Sequence, residues 1–214
     1  MPLLLLIRHA VTETTGTILY GQSPGLSLSD RGREQAAALA ERLEAVPIAA
    51  LYASPLERCV QTAEPIAEAA GLDVRVVPGL MEADAGEWTG RKLSELRRLK
   101  AWRGVMAAPS RFRFPGGESM LEVEARVVSA VDAIVADHPD GVVAVVAHAD
   151  PIRLLLAHVA GAHVDHFQRW VVAPASVSVV AMPDGGGPPM VLAVNHTGSL
   201  AEVLPRPSKR GLRR

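Results

Sequence analysis

Residues 3–9 read Leu-Leu-Leu-Leu-Ile-Arg-His, and residues 142–148 read Val-Val-Ala-Val-Val-Ala-His. Both are short apolar runs that end on a histidine. Runs of this kind, without polar alternation, suit strands buried on both faces of a parallel sheet. Val74–Val77, Val177–Ala181 and Met190–Val194 read as further strands, and so does Ala49–Ala53, which precedes a turn. Helical segments lie between them. Ser29 caps a helix towards Ala45, which Pro47 stops. In Ser54-Pro55-Leu56-Glu57 the serine is placed to cap, the proline to take the first turn and the glutamate to close a capping box, for a helix running to Gly71. Ser119 and Glu122 have the same spacing and open a helix to about Asp137. Asp150 or Pro151 opens another towards Ala160. Strands alternating with helices predict an α/β fold, a three-layer α/β/α sandwich with a mostly parallel central sheet.

Composition narrows the class. The 214 residues are 49% hydrophobic and 21% charged, which suits a packed domain and argues against disorder. We read residues 1–204 as one domain, with 94–118 as a segment covering the site and 205–214 as a disordered basic tail. With 22 Lys+Arg against 23 Asp+Glu, the charge balance points to neither nucleic acid nor an anionic membrane. The single cysteine, Cys59, excludes an internal disulfide and fits a reducing compartment. The apolar start is too short for a signal peptide, and nothing approaches the roughly 18 apolar residues of a membrane span. A cytoplasmic protein is the expectation. Gly185-Gly186-Gly187 lacks the Lys and Ser/Thr of a phosphate-binding P-loop and reads as a plain loop.

In a parallel sheet, ligands bind beyond the carboxyl ends of the strands. Arg8 and His9 follow one buried strand and His148 follows the other, so the two histidines are expected at one edge. Arg58 stands in the first turn of the helix after Ala49–Ala53, near a helix N-terminus that itself favours anions. Glu82 follows Val74–Val77 at the same edge. Two arginines, two histidines and a carboxylate suit phosphoryl transfer. Neutral imidazole is a competent nucleophile, guanidinium clamps phosphate oxygens bidentately, and a carboxyl kept protonated by burial protonates the leaving oxygen. Asp84 and Glu87 stay open as alternative proton donors. No metal and no cofactor are required by this inventory. His158, His163 and His166 do not match a zinc spacing and read as surface or packing residues. Cys59 reads as a small buried helix residue rather than a reactive thiol. Trp102 is a candidate for the pocket wall, since residues 94–115 are placed to cover it.

The residues then reach a family resemblance. Arg8-His9-Ala10-Val11-Thr12 resembles the RHG-x-T signature of the histidine phosphatase superfamily, the phosphoglycerate mutase-like family. Leu28-Ser29-Asp30-Arg31-Gly32, Ser54-Pro55-Leu56-Glu57-Arg58 with Gln61-Thr62-Ala63, Leu80-Met81-Glu82 with Gly86-Glu87-Trp88-Thr89-Gly90, Phe114-Pro115-Gly116-Gly117-Glu118-Ser119 and Ala147-His148-Ala149 resemble its other segments in order. The resemblance implies that His9 forms a phosphohistidine and that Arg8, Arg58 and His148 hold the phosphoryl oxygens. It implies that Glu82 is general acid and then general base. Thr15, Gly21, Gln22 and Ala149 fall where the family lines its phosphate and substrate pocket. Ala10 and Ala149 stand where the family usually has glycine, which leaves open a crowded phosphate or a shifted backbone N–H. Val11 replaces a commonly polar residue, and Thr15 replaces an asparagine found in many members.

The function implied is a metal-independent phosphatase acting on a small phosphorylated metabolite. The short cover favours it over a phosphoglycerate-type phosphomutase, although Arg97, Arg98, Lys100, Arg103, Arg111 and Arg113 make that cover basic. A binding or regulatory module with a retired site is the third reading. The family leaves a homodimer open.

Overall fold

A computed structural model describes residues 1–183 and 187–204. Gly185, Gly186 and the basic tail from Pro205 onward lie outside the described residues. The strands are β1 (Leu3–Arg8), β2 (Ile18–Leu19), β3 (Ile48–Ala53), β4 (Val74–Val76), β5 (Arg91–Lys92), β6 (Val142–Ala147), β7 (Val177–Ala181) and β8 (Met190–His196). The α-helices are α1 (Asp30–Leu43), α2 (Glu57–Ala70), α3 (Leu93–Leu96), α4 (Trp102–Ala107), α5 (Met120–Asp137) and α6 (Ala149–Val159).

Six strands form the central sheet in the order β4-β3-β6-β1-β7-β8. The two runs that open the sequence argument are its middle. β1 pairs parallel with β6 from Leu3↔Val142 to Arg8↔Ala147, and β6 is buried at every position. β3 runs parallel to β6, and β4 parallel to β3. β7 is antiparallel to β1 because residues 172–176 already lie at the carboxyl edge of β1, where the Ala175 amide donates to the Arg8 carbonyl at 3.0 Å. The expected mostly parallel sheet is present, with one strand reversed.

Two layers of helices cover the faces. α1 and α2 close one apolar core over Leu3, Leu5, Ile7, Leu51 and Val146. α5 and α6 close the other over Leu4, Leu6, Val143 and Val145. Adjacent β1 residues feed opposite cores, which is why its sequence shows no polar alternation. A third cluster, of Trp88, Leu96, Val105, Phe112 and Phe114 with Met120, Val123 and Phe167, seats residues 85–114 on α5 and α6. The short β2–β5 sheet ties this segment to residues 14–22.

Helix ends follow the sequence with one exception. Ser29 caps α1 by accepting from the Gly32 amide, and Ser119 and Glu122 form the reciprocal capping box of α5. The capping box expected at Ser54 and Glu57 is absent. α2 begins at Glu57, its N-cap is Leu56, and no side chain caps it. The Ser54 hydroxyl is instead engaged with His148 at 2.8 Å, a partner no local pattern reveals.

Candidate active site

The carboxyl ends of β1, β3 and β6, with the segment after β4, open into a cleft of about 260 Å³. Arg8, His9, Arg58 and Glu82 line it. His9 is 7% exposed, and its imidazole lies edge-on to His148 with centroids 5.2 Å apart. Its Nδ1 sits 2.7 Å from the Ala10 carbonyl. A carbonyl only accepts, so Nδ1 carries the proton and Nε2 keeps its lone pair. Burial, then the Arg58 and Arg8 cations, hold the His9 pKa down to about 3. The ring is therefore neutral throughout the physiological range.

Both arginines keep a donor in reserve. Arg58 donates through Nη2 to the Gly21 carbonyl at 2.9 Å, and Arg8 through Nη1 to the Val172 carbonyl at 2.7 Å. Arg58 Nη1 and Arg8 Nε are buried with no protein partner. A buried guanidinium donor without an acceptor is costly, and an incoming anion relieves that cost. Ala149 and Asp150, in the first turn of α6, line the same cleft, and the amides of a helix's first turn have no intrahelical acceptor.

Glu82 is the carboxylate at the cleft. Burial and then the nearby Asp150 charge raise its pKa to about 7, against the opposing pull of the Ala83 amide, Arg58 and Arg8. Near neutral pH it holds a proton for much of the time. Asp84 and Glu87 do not line the cleft, and the Asp84 carboxylate is turned to the Gly86 amide at 2.9 Å.

The remaining expected residues divide. Thr15 and Ala149 line the cleft, although Thr15 Oγ1 also accepts from the Thr12 amide at 2.8 Å. Gly21 lines it too and orients Arg58 through its carbonyl. Its φ is +51°, and a Cβ there would meet the Ala83 carbonyl at 3.0 Å, so glycine is required. Gln22 is not on the wall. Its amide nitrogen donates to the Glu82 carbonyl at 2.9 Å, behind the site. His148 is fully buried beneath His9 rather than on the open wall, and burial, followed by the neighbouring His9 ring and the Arg58 and Arg8 cations, pulls its pKa well below the ordinary value.

The two alanines sit on unstrained backbone. Positive φ outside glycine occurs, among the described residues, only at Ala175 and Asn195. Ala10 is packed in the core with its amide donating to Thr62 Oγ1 at 3.0 Å, and Ala149 is the first residue of α6. Neither position uses the conformational freedom of glycine.

The family model for the histidine phosphatase superfamily, branch 1, matches residues 4–196. The chain belongs to this superfamily. Phosphoserine phosphatase 1 of Hydrogenobacter thermophilus is 32% identical over 201 residues, 93% of this chain and 94% of its own. The solved structure of a mycobacterial glucosyl-3-phosphoglycerate phosphatase is similar with a TM-score of 0.83 at 28% identity, over 91% of this chain and 99% of that one. YhfR of Bacillus stearothermophilus reaches a TM-score of 0.86 at 26% identity, over 94% and 100%.

In this histidine phosphatase several cleft residues escape sequence reasoning. Asp150 and Arg153 line the wall as an ion pair at 3.2 Å, one helical turn after His148. Their i,i+3 spacing behind the second histidine was the available signal. Tyr20 and Leu26 also line it, from a loop that carries no periodic pattern. Arg97 and Trp102 reach the wall from the cover, so one of its six basic residues there faces the site. Trp102 stacks on the buried Trp88 with centroids 5.9 Å apart. Cys59 is buried against His148, with its thiol pKa pushed up by burial. His158 and His163 stand beside carboxylates, and no group of three His, Cys, Asp or Glu among the described residues has metal-site geometry. No described helix is long and apolar enough to cross a membrane.

Proposed function

We propose that this chain hydrolyses small phosphomonoesters in two steps through a phosphohistidine on His9. The observation that carries the reading is the state of His9: a neutral ring, its Nδ1 proton held by the Ala10 carbonyl, its Nε2 free beside two guanidinium donors that lack acceptors. In the first step Nε2 attacks phosphorus and the P–O ester bond breaks. Arg8, Arg58 and the α6 amides take the equatorial oxygens, and the protonated Glu82 gives its proton to the leaving alkoxide. In the second step the Glu82 carboxylate takes a proton from water, whose oxygen attacks the phosphohistidine and releases phosphate. His148 supports the transition state from below, its ring held by Ser54 through Nε2 at 2.8 Å and packed against the Cys59 thiol. The guanidinium groups supply the charge that a metal ion supplies elsewhere. The three-layer domain spans residues 1–204, with 94–118 as its cover.

The outer wall favours a substrate with a second anionic group. Arg97 reaches it without a carboxylate partner among the described residues, and Trp102 lines the same wall. Phosphoserine and phosphoglycerate esters, which the relatives' names carry, fit that chemistry. Arg97, with the Asp150-paired Arg153 on the same wall, keeps a phosphomutase as the second reading.

The test is release of phosphate from p-nitrophenyl phosphate in EDTA, beside a His9→Ala variant, followed by a panel of anionic phosphate esters. EDTA-resistant turnover that disappears in the variant supports the mechanism. Wild type as inert as the variant on every ester overturns it. Transfer of phosphate between positions of a phosphoglycerate, primed by a bisphosphate, establishes the mutase instead.

A further inference from the structure

The acid-bearing segment has almost no regular structure of its own. Between β4 and α3 the chain forms only 3₁₀ turns at Pro78–Leu80 and Gly86–Trp88 and the two-residue β5, and Glu82 stands between the turns. Its backbone carbonyls have no ladder to join. A carboxyl that must meet a leaving oxygen within hydrogen-bond reach needs something else to hold it.

One arginine supplies that hold. Arg126, from the second turn of α5, donates through Nη1 to the carbonyls of Gly79 and Met81, each at 2.9 Å, and through Nη2 to the carbonyl of Glu82 at 3.2 Å. The same guanidinium makes a bidentate pair with Glu118, at 3.0 Å from Nε and 2.9 Å from Nη2. Glu118 in turn accepts from the Asp84 amide at 2.8 Å and from Gln22 at 3.3 Å. Gln22 donates as well to the Glu82 carbonyl. The backbone is thus gripped on both sides of Glu82. The two charged side chains are only 21% and 22% exposed, so solvent screens the pair weakly. Neither touches the cleft.

We infer that Arg126, with Glu118 and Gln22, is the positioning device of the proton donor: it fixes the height and direction of Glu82 and so governs protonation of the leaving group. The inference rests on the assignment of Glu82 as the general acid. Arginine is required for this because five donors in a rigid plane reach three carbonyls and a carboxylate at once, which an ammonium does not.

The leaving group provides the readout. p-Nitrophenolate departs with little protonation, whereas an alkoxide needs the acid. We would measure kcat/KM, which reports transfer to His9, for p-nitrophenyl phosphate and glycerol 2-phosphate in wild type, Arg126→Met, Arg126→Lys, Glu118→Gln and Glu82→Gln. Inhibition by inorganic phosphate and the melting temperature are read in parallel. Arg126→Met is expected to lose at least about tenfold more on the alkyl ester than on the aryl ester, out of the roughly 10²–10⁴-fold that acid–base catalysis supplies. Its phosphate inhibition constant is expected to stay within about threefold of wild type, and the loss is expected to vanish on a Glu82→Gln background. Arg126→Lys and Glu118→Gln are expected to show the same selective loss, smaller, and they carry the test if Arg126→Met fails to fold. Equal losses on both esters in the folded variants overturn the inference, since a general loosening of the site has no preference for leaving group. A Glu82→Gln variant that itself lacks the selective loss overturns the acid assignment, and the inference falls with it.

Discussion

Ala10 and Ala149 show how a single side chain is judged by its backbone. Both occupy positions where the resembled family pattern carries glycine, yet neither has positive φ, one lying in the core beside α2 and one opening α6. Restoring glycine is therefore expected to bring no gain. Ala149→Gly should keep kcat/KM within about twofold and lower stability by less than the roughly 0.5–1 kcal/mol that glycine costs in a helix interior, since the residue opens the helix, read by urea titration. Glu82 is judged by its surroundings. With its pKa raised to about 7, the proton-donating form is lost as pH rises through that value. Phosphoryl transfer to an alkyl ester should fall tenfold per pH unit above it, and Glu82→Gln should flatten that limb while lowering the rate about 10²–10⁴-fold. A limb of the same shape in Glu82→Gln would move the acid role to another group. His9 and Arg58 were legible because each stands next to a readable element end. Gln22 was not, since its role depends on a carbonyl sixty residues away.

At the scale of elements, the site depends on how closely α1 approaches the loop after β1. A Cβ on Gly32 would lie 2.0 Å from the Val11 carbonyl, so only glycine lets the helix seat there. That seat also delivers Gln35, whose Oε1 accepts from the Val11 amide at 3.0 Å, and Ser29, whose hydroxyl donates to the Val11 carbonyl at 3.2 Å. Gly32→Ala is expected to destabilise the fold by about 1–3 kcal/mol, as overpacking does. Because the displaced loop carries His9, kcat should fall with it. A melting temperature and kcat both unchanged would show that the loop does not depend on this contact. Ser54 teaches the complementary lesson. Its local pattern spells a capping box, but its hydroxyl is taken by His148, and α2 starts three residues later without a side-chain cap. A tertiary partner that satisfies a buried imidazole outweighs a cap worth about 1 kcal/mol.

The whole molecule pays for its site in acid. His9 and His148 are neutral in the fold, their pKa values depressed by burial and by neighbouring cations, His9 to about 3. In the unfolded chain a histidine titrates near its ordinary value of about 6.5. Below that pH the unfolded state binds protons that the folded state refuses, so stability present above about pH 6.5 is lost as pH falls towards 3. The melting temperature should drop from pH 7 to pH 4, and less steeply in a His9→Asn variant. Equal slopes would show that His9 does not contribute to the loss.

What the sequence alone determined is the sheet and the edge at which chemistry gathers. β1 and β6 are continuous apolar runs, their parallel pairing follows from burial on both faces, and the residues that end them are delivered to one place whatever the loops do. His9, Arg8, Arg58, His148 and Glu82 could be named because strand and helix ends are local signals. The tertiary structure alone decided what each of those groups does with its proton and its neighbours. The burial that keeps His9 neutral, the diversion of Ser54 and the grip of Arg126 on the Glu82 backbone are all set by burial or by hydrogen bonds that the local sequence does not encode. Periodicity records which face of an element is buried; it carries no record of which distant carbonyl or carboxylate that burial brings within 3 Å.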